Sequence, residues 1–195
     1  MRNTWPFTRR AWCLAAGSVL LAEDVFATEF TVPTTAAMAP PTEVAIAVSA
    51  ARLQGRGTLR YFGLRVYEAR LWAGPGFAAD RYTDQTFALE LEYARGFAGG
   101  AIAQRSIDEM RRSATLANGQ AREWQAAMVR AFPDVAPGER LTGIHAPGAA
   151  THFFHNGRPT TPVAGPEFAR LFFGIWLAES TSEPTLRRQL IGAGL

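Results

Sequence analysis

Residues 53–72, LQGRGTLRYFGLRVYEARLW, constrain this chain more than any other stretch: three glycines and four arginines are interleaved with Leu53, Leu59, Phe62, Leu64, Val66, Leu71 and Trp72. Alternating apolar and charged residues read as β-structure, and a glycine inside such a pattern marks a bend or a bulge, so the segment reads as strand, bend, strand. Taken as one regular strand, period two places Arg60, Phe62, Leu64 and Val66 on one face and Leu59, Tyr61, Arg65 and Tyr67 on the other. One extra residue near Gly63 would instead bring Arg60 and Tyr67 onto the same face. In the regular reading Arg60 falls in an apolar row. A buried guanidinium without a partner is costly, so Arg60 must meet a structural acid, for which Glu68, Glu90 and Glu92 are the candidates, or a bound anion.

Around this stretch the chain carries enough apolar residues, 48% of 195, for one domain that buries roughly two-thirds of its unfolded surface. No disulfide is needed, and the single cysteine, Cys13, lies in a segment that reads as removable. Arg2, Arg9 and Arg10 precede a short apolar run, and Val25-Phe26-Ala27 offers small residues for a signal peptidase. The expected organisation is a signal peptide over 1–27, a Pro/Thr/Ala-rich linker over 28–42 too poor in apolar surface to fold, and a domain over 43–195. Export to the periplasm follows, with membrane contact only through the signal segment; Thr8-Arg9-Arg10-Ala11-Trp12 leaves the general and twin-arginine routes both open.

Within the domain, 44–48 reads as a first strand and 80–84 as a polar loop. Phe87, Leu89, Leu91 and Tyr93 alternate with Ala88, Glu90 and Glu92, a strand with one core face and one wet face. Residues 101–113 and 121–132 carry apolar stripes at helical spacing, with Asn118-Gly119 turning the chain between them and Pro133 ending the second. Residues 138–145 read as a strand, and Asn156-Gly157 between 151–155 and 158–163 signals a two-residue hairpin whose proline-bearing arm lies at an edge. Pro166 opens a helix that Gly174 is expected to break; Thr181 or Ser182 caps a last helix ending before Gly192.

Several chemistries are excluded or disfavoured. All twenty basic residues are arginine, which removes lysine Schiff bases. They are spread among acids rather than clustered with aromatics, against a nucleic-acid surface. Loss of 1–27 takes away three arginines and two acids and lowers the net charge from +3 to +2. His152 and His155 are three apart on a strand and face opposite ways, against a metal site. Neither a G-x-S-x-G elbow nor a P-loop occurs, and Gly55-Arg56-Gly57 lacks the third glycine of a dinucleotide fingerprint. No cofactor is expected.

The run from Gly55 to Leu71, followed in order by Phe172-Phe173-Gly174-Ile175-Trp176-Leu177 and Leu190-Ile191-Gly192, resembles the exported bacterial branch of the chalcone isomerase-like family. The resemblance implies an α+β fold, a curved antiparallel sheet with helices layered on one face and a ligand cleft between. It implies either fatty-acid binding or intramolecular lyase chemistry on a chalcone, with an arginine just before the Val-Tyr strand holding a carboxylate or oxyanion. Aligned on Val66-Tyr67, Leu59 falls at that arginine's position and Arg60 follows one residue later. Arg60 and Tyr67 are the ligand-binding candidates, with Arg56 and Tyr61 behind them. The leading expectation is a binder of a small apolar, fatty-acid-like anion; an isomerase using Arg60 and Tyr67, and a non-catalytic envelope interaction module, are the alternatives.

Overall fold

The computed structural model describes residues 38–192; the expected signal peptide and residues 28–37 of the expected linker lie outside them. Six strands, β1 (Arg52–Tyr61), β2 (Leu64–Ala73), β3 (Phe87–Tyr93), β4 (Arg140–His145), β5 (His152–His155) and β6 (Arg158–Pro159), form one antiparallel sheet in chain order. Four helices cover its inner face: α2 (Gly99–Ser113), α3 (Asn118–Ala131), α4 (Pro166–Leu177) and α5 (Pro184–Leu190). The α+β fold with an open antiparallel sheet is the expected one.

The organising stretch is a hairpin. Phe62 and Gly63 turn it at φ 48° and 76°, the left-handed pair of a two-residue type I′ turn. Two irregularities set its faces. The register passes from Leu53↔Trp72 to Gly55↔Leu71, leaving Gln54 extra, and from Leu59↔Tyr67 to Arg60↔Arg65, leaving Val66 extra. At Val66 the bulge turns Val66 and Tyr67 toward the helices together, while Arg60 lies one position out of phase with Tyr67's partner, Leu59.

The first helix, α1 (Thr42–Ala47), replaces the strand expected over 44–48. Val44 and Val48 are four apart and both buried on the outer face of the sheet against Trp72, Ala88 and Ile144, whereas Ile46 is 82% exposed. A strand would have turned all three the same way; one helical turn separates them. Glu43 joins that packing through Thr142, whose hydroxyl donates to its carboxylate at 3.3 Å.

Four further departures fall at positions where sequence periodicity is silent. Asn118 and Gly119 do not turn the chain but open α3, where first-turn N–H groups need no intrahelical partner and a glycine costs little. Gly174 does not break α4, which runs on to Leu177. A Cβ there would meet the Tyr82 hydroxyl at 3.0 Å, and that hydroxyl donates to the Arg170 carbonyl at 2.7 Å, so the glycine admits a close approach. Tyr82 itself sits in a short 3-10 turn, Ala79–Asp84, where a loop was expected. At α5 neither Thr181 nor Ser182 is the capping residue: Glu183 holds that position, the Thr181 hydroxyl accepts from the Glu183 N–H at 3.1 Å, and Ser182 donates to Glu109.

The outer face of β3 is not wet. Glu90 is 2% exposed and accepts from Arg70 at 2.9 Å, Arg140 at 3.1 Å and the Trp72 indole N–H at 2.8 Å. Arg70 also pairs with Glu68 at 2.7 Å and Glu92 at 2.9 Å. The three acids expected around Arg60 therefore surround Arg70 instead. α4 is apolar on two faces because it is sandwiched, with its charged residues Glu167 and Arg170 turned to solvent: Phe173 faces Phe87 of the sheet, while Phe168 meets Trp124 of α3.

Candidate functional site

Between the distal half of the β1–β2 hairpin and helices α2 and α4 the inner face of the sheet is not filled, and a cleft of about 530 Å³ remains. Its floor is the period-two inner row of the central strands: Leu89, Leu91 and Tyr93, then Leu141 and Phe153. Gly143 belongs to the same row, and its missing Cβ leaves room for the Phe153 and Phe173 rings, which would otherwise come within 3.2 and 3.3 Å of it. The roof is Ile102 and Ser106 of α2 with Phe172, Ile175 and Trp176 of α4. The bulge matters here. By presenting Val66 and Tyr67 together it widens the wall on the hairpin side, which Leu59, Tyr61, Phe62 and Leu64 continue to the mouth.

The polar groups in the cleft are few. The Tyr67 hydroxyl accepts from the Trp176 indole N–H at 3.0 Å, tying β2 to α4, and keeps its own proton to donate. Burial raises the Tyr67 phenol well above the usual tyrosine range, and Tyr93, whose ring meets it edge-on at 5.8 Å, is raised for the same reason. Tyr67 is thus a neutral hydrogen-bond donor, not a base. Near the roof, Glu109 accepts from Ser182 at 2.7 Å and pairs with Arg105 at 2.6 Å, so that arginine's charge is already matched. Arg95, exposed at the rim, has no carboxylate partner among the described residues.

Of the four residues singled out in the sequence, Tyr67 and Tyr61 line the cleft. Arg60 and Arg56 do not. They border a separate polar hollow between the β1 edge and α5, with Thr58, Glu68, Glu183 and Gln189. The Arg60 guanidinium is exposed and donates to the Gly63 carbonyl at 3.2 Å. Arg95 and Trp176 escaped the sequence reading as site residues. A signal for Arg95 existed: it lies two positions beyond Tyr93 and continues the inner row past the end of the strand. Nothing local distinguishes Trp176 from an ordinary core residue. The histidines are scattered: His145 contacts the Thr83 carbonyl and His155 the Glu139 carboxylate, and among the described residues no group of three or more His, Cys, Asp or Glu could hold a metal ion.

A chain-order antiparallel sheet, helices layered on its inner face and an apolar cleft between the layers define an open-faced α+β fold built around a cavity. The family model described as chalcone isomerase-like matches residues 33–192, and the chain belongs to that family. The crystal structure of a fatty-acid binding protein from Arabidopsis thaliana is similar to it, with a TM-score of 0.56 over 74% of this chain and 88% of that one at 12% identity. At that identity the likeness is one of fold. No curated protein matches the sequence.

Proposed function

We propose that this protein is an exported, periplasmic binder of a small, largely apolar carboxylic acid, a fatty acid or a close analogue, held between sheet and helices. The observation that carries this reading is the cleft: its volume of about 530 Å³ is that of an ordinary small-molecule site, and its walls are aliphatic and aromatic with few polar groups. The similar fold of the Arabidopsis fatty-acid binding protein supports it. The apolar chain of the ligand lies over Leu89, Leu91 and Phe153, and the carboxylate meets Arg95 at the rim, where a guanidinium stands without an acid. Tyr67 offers its proton to a polar atom that reaches the interior. The signal-like segment at 1–27 supports export. Binding is favoured over isomerase turnover because the cross-strand neighbours of Tyr67 are Leu59 and Tyr93, neither of which supplies a charge to an oxyanion beside that hydroxyl.

The test is displacement of a fluorescent fatty acid by saturated acids of graded length, with native mass spectrometry of the protein as purified from cells. Arg95→Leu is expected to weaken binding by about tenfold to a hundredfold, the loss of one charge-assisted pair. Arg60→Leu should leave affinity nearly unchanged and the melting temperature unchanged or slightly raised, since its side chain is exposed, bonds only a turn carbonyl and stands opposite Arg65. A reversed pattern would move the carboxylate to the polar hollow. Failure of the wild type to bind any acid would end the proposal.

A further inference from the structure

Two hairpin turns in this chain share a backbone and differ in their residues. The β5–β6 turn places Asn156 and Gly157 at φ 50° and 80°; the β1–β2 turn places Phe62 and Gly63 at 48° and 76°. Asparagine tolerates the left-handed region, whereas a bulky aromatic there is strained. Phe62 recovers nothing from the core, for it is 88% exposed and its ring meets only that of Tyr61, itself 64% exposed, among the described aromatics. Leu64, next along the turn, is 51% exposed. A second local cost adjoins the first. Arg60 and Arg65 stand directly opposite each other across the strands, a like-charge pair that weakens a hairpin. Arg65 reaches Glu68 at 3.4 Å and Arg60 a backbone carbonyl. Neither cost serves folding; against a surface that is anionic at its boundary and apolar beneath, the charge repulsion is neutralised and burial of the ring offsets the strain.

We propose that the β1–β2 tip docks this protein on an anionic lipid bilayer, with Tyr61, Phe62 and Leu64 entering the boundary between headgroups and acyl chains and Arg60 and Arg65 meeting the lipid phosphates. Aromatic side chains flanked by arginine suit that depth, and each basic group near an anionic leaflet adds attraction. A protein partner fits less well, because three side chains on a two-residue turn fall far short of the roughly 800 Å² per partner of a stable interface. The same three residues wall the mouth of the cleft, so docking seats the opening on the membrane, and an apolar ligand passes between bilayer and cleft without crossing water. That passage rests on the carrier reading above; the docking does not. It adds a second membrane contact to the one expected through the N-terminal segment.

The experiment is hydrogen–deuterium exchange on the full chain, without fatty acid, mixed with vesicles of phosphatidylcholine containing phosphatidylglycerol or of phosphatidylcholine alone. Amides of residues 58–67 are expected to become protected on the anionic vesicles, less so on the neutral ones, and to lose that protection in high salt. Because the signal is read on this peptide, attachment through the N-terminal segment does not register. Phe62→Asn, which gives this turn the residue of the other one, should raise the melting temperature and weaken vesicle partitioning by about tenfold. Unprotected tip amides on anionic vesicles would overturn the proposal. So would protection that rises with protein concentration in the absence of lipid, which would identify a second copy of the chain as the occupant. Absence of fatty-acid binding alongside tip protection would sink the carrier reading and leave the docking standing.

Discussion

Replacing Glu90 with leucine is expected to destabilise the fold by about 3 to 5 kcal/mol, the cost of removing one partner from a buried charged cluster. The carboxylate has 2% of its surface exposed and serves three donors, Arg70, Arg140 and the Trp72 indole. Their fates differ. Arg70 keeps Glu68 and Glu92, and Arg140, more exposed, recovers water, but the indole N–H stays buried with no acceptor. Trp72→Phe in the Glu90→Leu background should therefore recover part of the loss, because it deletes the stranded donor, although it is destabilising on its own. Urea unfolding of the four proteins of this cycle measures the coupling. A loss below about 1 kcal/mol for Glu90→Leu would mean that the cluster is hydrated in solution and contributes no more than a surface pair.

The second large effect is expected at Gly55. A Cβ on that residue would fall inside the backbone carbonyls of Gln189 and Leu190, so even alanine cannot be placed without moving α5 bodily off the edge strand. Flexible side chains could yield; a helical backbone cannot. Gly55→Ala should cost about 3 kcal/mol or more, at the upper end for overpacking, and Gly55→Val more still. Gly119→Ala is the control: nothing lies within 4 Å of the added carbon and the site is helical, so it should be neutral or slightly stabilising. Thermal melts of the three proteins decide it. Equal behaviour of Gly55→Ala and Gly119→Ala would show that α5 is not seated on β1 in solution.

Much of the sheet was legible because its residues repeat with period two and the repeats survive in the structure. β3 and β2 beyond its bulge at Val66 belong to this class, the β5–β6 hairpin was legible from its Asn156-Gly157 turn, and α2 and α3 were legible at period 3.6. α1 was misread because Val44, Ile46 and Val48 alternate with period two while Val44 and Val48 alone also fit one helical turn, and only the packing of those two on Trp72 decides between them. The acids were found and given to the wrong arginine. Glu68, Glu90 and Glu92 face Arg70 because Arg70 pairs with Glu90 across β2 and β3, and Glu68 with Glu92; no reading of β1 and β2 alone contains that register. The phase of Arg60 against Tyr67 was undecidable for a related reason. A bulge at Val66 is a property of two hydrogen-bonded strands, so the one-residue offset that puts Leu59 beside Tyr67 exists only in the pair. The cleft was expected only from family resemblance, since an unfilled space leaves no mark on the sequence.

The order of strands across the sheet predicts an order in time. Each strand pairs with its neighbour in the chain, and closing short loops is entropically cheap, so the meander can grow by local steps within β1–β3 and within β4–β6, which the long connection carrying α2 and α3 then joins. The contacts that reach α4 and α5 escape this economy: the Trp176 indole donates to Tyr67, 109 residues away, and the Gln54 side chain donates to the Ile191 carbonyl, 137 residues away, with α5 over β1 beside it. The edge strand can pair with β2 early, but its inner face is expected to be covered only when the final helix docks. Until then the inner face of the hairpin lies open and the cleft lacks its wall at Ser182 and Glu183. Pulse-labelled exchange during refolding should show amides of α5 protected after those of β2 and β3, and simultaneous protection would refute this sequence. In this expected order the cavity is the last thing the protein acquires, and the far end of the chain decides when it exists.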